Sequence, residues 1–216
     1  MNRMKVVTGL LVLLGWAQWS FASIYSFGPT NDWYATGMTA ANSGNQLVTK
    51  TSITNSICGW GMPSGTGGAW YPTIPTGAWA GATWTAPTGE VITQVRVSGY
   101  YRNDGDKMQA AVYGGTSTGS VGDIQLWNSI DAGATVSGAR KVFSNSIITL
   151  NPVTGVTQVQ FRPYMCRASG VIAAGVAGYD GFMNAIQITT TPVPEPALCL
   201  FMIMGGLGIM QRRCMK

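Results

Sequence analysis

Val91-Ile92-Thr93-Gln94-Val95-Arg96-Val97 decides the fold class. Apolar and polar side chains alternate along it, the period of a strand with one buried face. Val91, Val95 and Val97 fall on one side, Gln94 and Arg96 on the other. The same period recurs downstream. Lys107 to Tyr113 groups Met108, Ala110 and Val112, and Ile124 pairs with Leu126. Val142 to Leu150 groups Ile148 with Leu150. Gln158 to Phe161 sets Val159 and Phe161 against Gln158 and Gln160, and Ala185 to Thr190 groups Ile186 with Ile188. Leu47 to Ile57 reads as an early strand. No stretch of the body carries a helical stripe. Turn signals separate the runs at Asn103-Asp104-Gly105-Asp106, Gly114-Gly115, Gly119 to Gly122, Asn151-Pro152 and Tyr179-Asp180-Gly181. Many strands with Gly-rich turns and no helix point to a two-layer antiparallel β-sandwich of jelly-roll type. No repeat of fixed period suggests a solenoid or propeller.

Composition narrows the function classes. The chain has 216 residues, 46% of them apolar, only 10% charged, and no histidine. That excludes a Ser-His-Asp triad, a His-ligated zinc and a proximal-His haem. The formal charge of +5 gathers at the ends, since residues 23–192 hold eight basic and seven acidic side chains. A nearly neutral body without a Lys/Arg cluster argues against nucleic-acid binding.

The two ends read as processing signals. Arg3 and Lys5 precede an apolar stretch from Val6 to Trp16, with Ser20 and Ala22 as small residues before a cleavage point. This is the pattern of a signal peptide over 1–22, removed by signal peptidase after Ala22. At the other end, Ala197 to Met210 is an apolar run of about 21 Å as a helix. It reads as a short transmembrane segment whose following Arg212 and Arg213 stay cytoplasmic. The chain then divides into 1–22, a sandwich domain over 23–190, and a C-terminal segment over 191–216.

Val193-Pro194-Glu195-Pro196, the apolar run and the Arg212-Arg213 cluster together resemble the PEP-CTERM sorting signal. The resemblance covers about 24 residues. It implies recognition of Pro194-Glu195-Pro196 by a membrane exosortase, transient residence in the inner membrane of a Gram-negative bacterium, and delivery to the cell surface or extracellular matrix. Bacteria with this signal make extracellular polysaccharide, which becomes a candidate partner.

The body offers few groups with chemistry. Cys58 and Cys166 remain once both ends are removed. They are a disulfide candidate in an oxidising compartment or two separately buried thiols. Trp60, Trp70, Tyr71 and Trp79 lie among Gly and Pro and form a candidate glycan-stacking set, though such rings also serve as core. Trp84 reads as core. Asp104 and Asp106 make a weak calcium candidate in what is otherwise a hairpin turn. A glycosidase needs two nearby carboxylates, and no pair stands out. The sequence therefore points to a non-catalytic structural or interaction protein without a cofactor. The alternatives are a carbohydrate-binding module for an exopolysaccharide and, more distantly, a glycoside hydrolase.

Overall fold

A computed structural model describes residues 21–28, 33–34, 36–43, 47–49, 56–61, 73–102, 107–116, 122, 124–137, 140–168, 170–171 and 181–193. In chain order the described strands are β1 (Ser23–Phe27), β2 (Thr39–Asn42), β3 (Leu47–Thr49), β4 (Ile57–Gly61), β5 (Thr73–Ile74), β6 (Trp79–Thr85) and β7 (Glu90–Arg102). They continue as β8 (Met108–Thr116), β9 (Ile124–Asn128), β10 (Thr135–Ser137), β11 (Arg140–Thr149), β12 (Val156–Cys166), β13 (Gly170–Val171) and β14 (Gly181–Pro192).

Two antiparallel sheets face each other. The larger has seven strands in the order β10-β11-β7-β14-β4-β3, with β1 also paired to β14. The smaller runs β2-β6-β12-β8-β9, and β13 pairs with β5 apart from both. Between them lies one apolar core. The seven-stranded sheet contributes Val95, Val97, Ile148, Ile186 and Ile188, and the five-stranded sheet contributes Ala82, Trp84, Met108, Val112, Val159 and Phe161. The all-β, two-sheet expectation therefore stands, as do the inward faces read for Met108, Ala110, Val112, Val159, Phe161, Ile186 and Ile188.

Several local expectations need correcting. Val91 is buried but lies outside the packed cluster that holds Val95 and Val97, whereas Ile92 belongs to it. The register of β14 against β7 shifts between Thr189 and Thr190, and such a bulge flips every side chain beyond it. Leu47 to Ile57 is not one strand. β3 ends at Thr49, β4 starts at Ile57, and the two run antiparallel with Leu47 opposite Gly61. Gly114-Gly115 is no turn but lies within β8, where a Cβ on Gly114 would stand 3.0 Å from Leu126 Cδ1. Trp84 lies in β6. It is buried as expected, with its ring 5.0 Å from that of Tyr25.

Of the two terminal expectations, over 1–22 and 191–216, only 21–22 and 191–193 are described, and Thr191 and Pro192 belong to β14. Among the described residues no helix is long and apolar enough to cross a membrane.

Candidate functional site

Of the four ring residues singled out in the sequence, Trp79 has a described environment. Trp70 and Tyr71 lie outside the described residues, and Trp60 is described only in its backbone, opposite Val48. Trp79 starts β6 on the outer face of the five-stranded sheet. Its partner there, Arg162, comes from β12, next to a proline. Pro163 sits in β12, the central strand, although it has no N–H for the ladder. The strand accommodates it with a bulge: Phe161 pairs with Ala82 and Tyr164 with Ala80, so Arg162 and Pro163 together oppose Gly81. Arg162, still paired with Ala111 of β8 ahead of that shift and two residues on from the outward Gln160, points outward between two rings. Its guanidinium carbon lies 4.5 Å from the Trp79 ring centroid and 3.7 Å from that of Tyr113.

Further bonds fix this ladder across the strands. Arg162 Nε donates to Gln160 Oε1 at 2.7 Å, and Tyr113 Oη donates to Gln125 Oε1 on β9 at 2.9 Å. Gly122 covers the guanidinium closely, so that a Cβ there would come within 2.6 Å of Nη2. Arg162 is only 8% exposed. Burial pushes its pKa down to about 10, partly offset by Tyr113, and it stays a cation at neutral pH. With both faces of the guanidinium covered by rings, Arg162 braces the strands and leaves Gln125, Thr85 and Gln158 as the polar outer surface. Truncation and isosteric replacement should therefore differ. Arg162→Ala should cost about 2–3 kcal/mol by leaving Gln160 without its donor and both rings without packing. Arg162→Met, which keeps the stem between the rings, should cost less than about 1 kcal/mol. Urea unfolding of the two variants measures the difference.

The opposite surface, the outer face of the seven-stranded sheet, carries Gln94, Arg96, Ser98, Tyr100 and Arg102 in alternation along β7. Arg96 Nε donates to Gln94 Oε1 at 3.0 Å. Tyr100 stacks on Phe182 of β14 at 5.3 Å, with the Arg140 guanidinium 4.4 Å over its ring. The sequence showed Arg96 pointing away from the core but gave no sign of what stands beside it, because those neighbours come from β1, β11 and β14.

The cysteines do not form the candidate disulfide. Both are free and buried. Cys58 pairs in register with Phe182 on the outer side of the seven-stranded sheet and is not part of the core, whereas Cys166 belongs to the core between the sheets. A sheet therefore separates the two thiols. Cys58 Sγ lies 3.3 Å from Ser56 Oγ, and Cys166 Sγ donates to the Ala168 carbonyl at 3.1 Å. Burial raises the Cys58 pKa to about 11, against a lowering by Ser56. Burial also raises that of Cys166, opposed by Ala168 and Lys107. Since the thiolate is the reactive form, neither should react with iodoacetamide at pH 8 in the folded protein. Both should react in urea, as read by mass spectrometry of the peptides holding residues 58 and 166.

The calcium candidates Asp104 and Asp106 lie outside the described residues. Among the described residues no group of three or more His, Cys, Asp or Glu side chains is placed to hold a metal. Of the sorting motif, Val193 is described. It is exposed, and its N–H donates to the Gly89 carbonyl at 2.8 Å. Pro194, Glu195, Pro196, Arg212 and Arg213 lie outside the described residues.

No family model and no curated protein matches the chain. Among solved structures, the chain is similar to the K1 cleaved adhesin domain of Lys-gingipain from Porphyromonas gingivalis. The match has a TM-score of 0.34 and 12% identity over 81% of this chain and 98% of that one, a likeness too distant to bear on function.

Proposed function

We propose that this is an exported protein of the cell surface or extracellular matrix with a non-catalytic interaction role, sorted by residues 191–216 through an exosortase. One observation carries the reading. β1 and β14 are paired antiparallel with Ser23 opposite Thr190, so the segments before and after the sandwich join it at adjacent points. A body closed in this way, with Ser23 and Thr190 side by side, can be exported as a unit. Phe21 and Ala22, just ahead of β1, are exposed and belong to no strand, so a cut after Ala22 leaves β1 whole.

The non-catalytic part is supported by how the described carboxylates are used. Glu90 accepts from Thr190 Oγ1 and from Tyr25 Oη, and Asp131 accepts from Asn128 Nδ2 at 2.6 Å. These are structural contacts at strand ends and turns. The jelly-roll reading is supported by a chain that crosses between the sheets from β6 to β7, β7 to β8, β9 to β10 and β11 to β12. Carbohydrate binding is the second reading, favoured by outer faces rich in Gln, Thr, Arg and aromatic side chains.

The sorting proposal is tested in a Gram-negative host carrying an exosortase. The full chain should reach the surface or the medium. Glu195→Ala, and Arg212→Ala combined with Arg213→Ala, should leave it in the inner membrane. Equal distribution of all three proteins would overturn the proposal.

A further inference from the structure

Both neighbours of β7 bulge at the same level. β11 shifts register between Phe143 and Ser146, and β14 shifts between Met183 and Ala185. Val97 to Gly99 is the stretch of β7 between them. Bulges bend a strand and re-aim its side chains, and here the two hollow the outer face of the seven-stranded sheet. The result is an open cavity of about 360 Å³, within the size range of small-ligand sites.

Its polar lining comes from four strands: Ser26 of β1, Arg96 and Ser98 of β7, Asn145 of β11 and Gln187 of β14. Asn145 holds the left-handed conformation at φ 48, one that Asn tolerates better than most residues. Its N–H donates to Ser98 Oγ at 2.8 Å, which fixes the bulge. Gln187 Nε2 donates to Ser26 Oγ at 3.4 Å. Gln94 anchors Arg96 through Nε, and among the described residues the two terminal nitrogens of Arg96 meet no partner. Among the described residues no Asp or Glu lines the cavity.

We propose that this hollow binds an acidic sugar unit, a uronic acid residue within a polysaccharide. The Arg96 fork takes the carboxylate through two parallel N–H bonds, and the amides of Asn145 and Gln187 bond ring hydroxyls. A single guanidinium among neutral amides and hydroxyls matches a ligand unit with one carboxylate and several hydroxyls. An acidic peptide fits less well, because the apolar members of the lining, Phe27, Val97 and Ile186, are buried in the core and give a peptide side chain no anchor. The inference deepens the surface and matrix reading and rests on it for the ligand's presence.

The test uses the full chain purified in mild detergent, with polygalacturonate, neutral dextran and polyglutamate as probes in titration calorimetry. Polygalacturonate should bind, and the other two should not. Arg96→Gln should weaken binding at least tenfold, with Arg96→Lys in between. Asn145→Gly relieves the left-handed backbone, so it should weaken binding severalfold with Tm unchanged or raised, which separates binding from folding. Failure of polygalacturonate to bind, equal binding of dextran or polyglutamate, or an Arg96→Gln variant that binds as well as the unaltered chain would overturn the proposal. Failure of the export reading would show instead in cell fractionation, whatever the purified chain binds.

Discussion

Gly81→Ala should abolish the folded sandwich. A Cβ at Gly81 would stand 1.8 Å from the carbonyl oxygen of Phe161 and 2.9 Å from its carbonyl carbon. Both are backbone atoms of β12, the centre of the five-stranded sheet, so no side chain can rotate away. The bulge at Arg162 and Pro163 brings that backbone over β6. Gly81 N consequently bonds not to β12 but to Thr49 Oγ1 at 2.9 Å, and the Thr49 hydroxyl also lies 2.6 Å from the Gly81 carbonyl oxygen. Thr49 belongs to the other sheet, so a shift of β6 would break a contact between the layers as well. Ordinary overpacking costs about 1–3 kcal/mol. With backbone on both sides of the clash the cost should exceed about 4 kcal/mol, a large part of a typical stability of about 5–15 kcal/mol. Circular dichroism should show lost or strongly destabilised strand structure. Gly28→Ala, where a Cβ meets nothing within 4 Å, should be neutral within about 0.5 kcal/mol.

Trp33→Ala should be the costliest single truncation of a side chain. Trp33 is fully buried in the core. Its ring meets Phe27 edge-on at 5.8 Å, and Nε1 donates to the Gly28 carbonyl at 2.9 Å. That bond ties the residues following β1 to the turn where the Trp33 carbonyl accepts from Met38 N at 3.0 Å. Removing the indole opens a cavity and strands a carbonyl, a loss of about 3–5 kcal/mol. Trp33→Phe refills most of the volume and should recover more than half. Urea midpoints for the two variants test this, and equal midpoints for Trp33→Ala and the unaltered chain would contradict the packing described.

The strands with strong alternation were legible in the sequence because one face of each meets the core. The departures have local causes. β6 was invisible because its inward residues are Ala80, Ala82 and Trp84 and its outward ones include Gly81. Small side chains carry little hydrophobic signal, yet the close passage of β12 demands them. Pro163 made β12 read as ending at Phe161, and only the bulge lets the strand run on to Cys166. Val91 was assigned to the core face because bulges leave no mark on periodicity. The candidate site was legible only in part. Arg96 was visible as outward, but the hollow beside it depends on two register shifts in strands remote in sequence. Trp79 was marked by its Gly-rich setting, whereas its partner Arg162 stands on β12, and nothing in the sequence shows that β12 runs beside β6.

Export of the sandwich over residues 23–192, as proposed above, is tested most directly by the N-terminus of the protein recovered from the cell surface or medium. Mass spectrometry of that fraction should find a chain beginning at Ser23, the first residue of β1. An intact chain beginning at Met1 and confined to the cytoplasm would contradict the account.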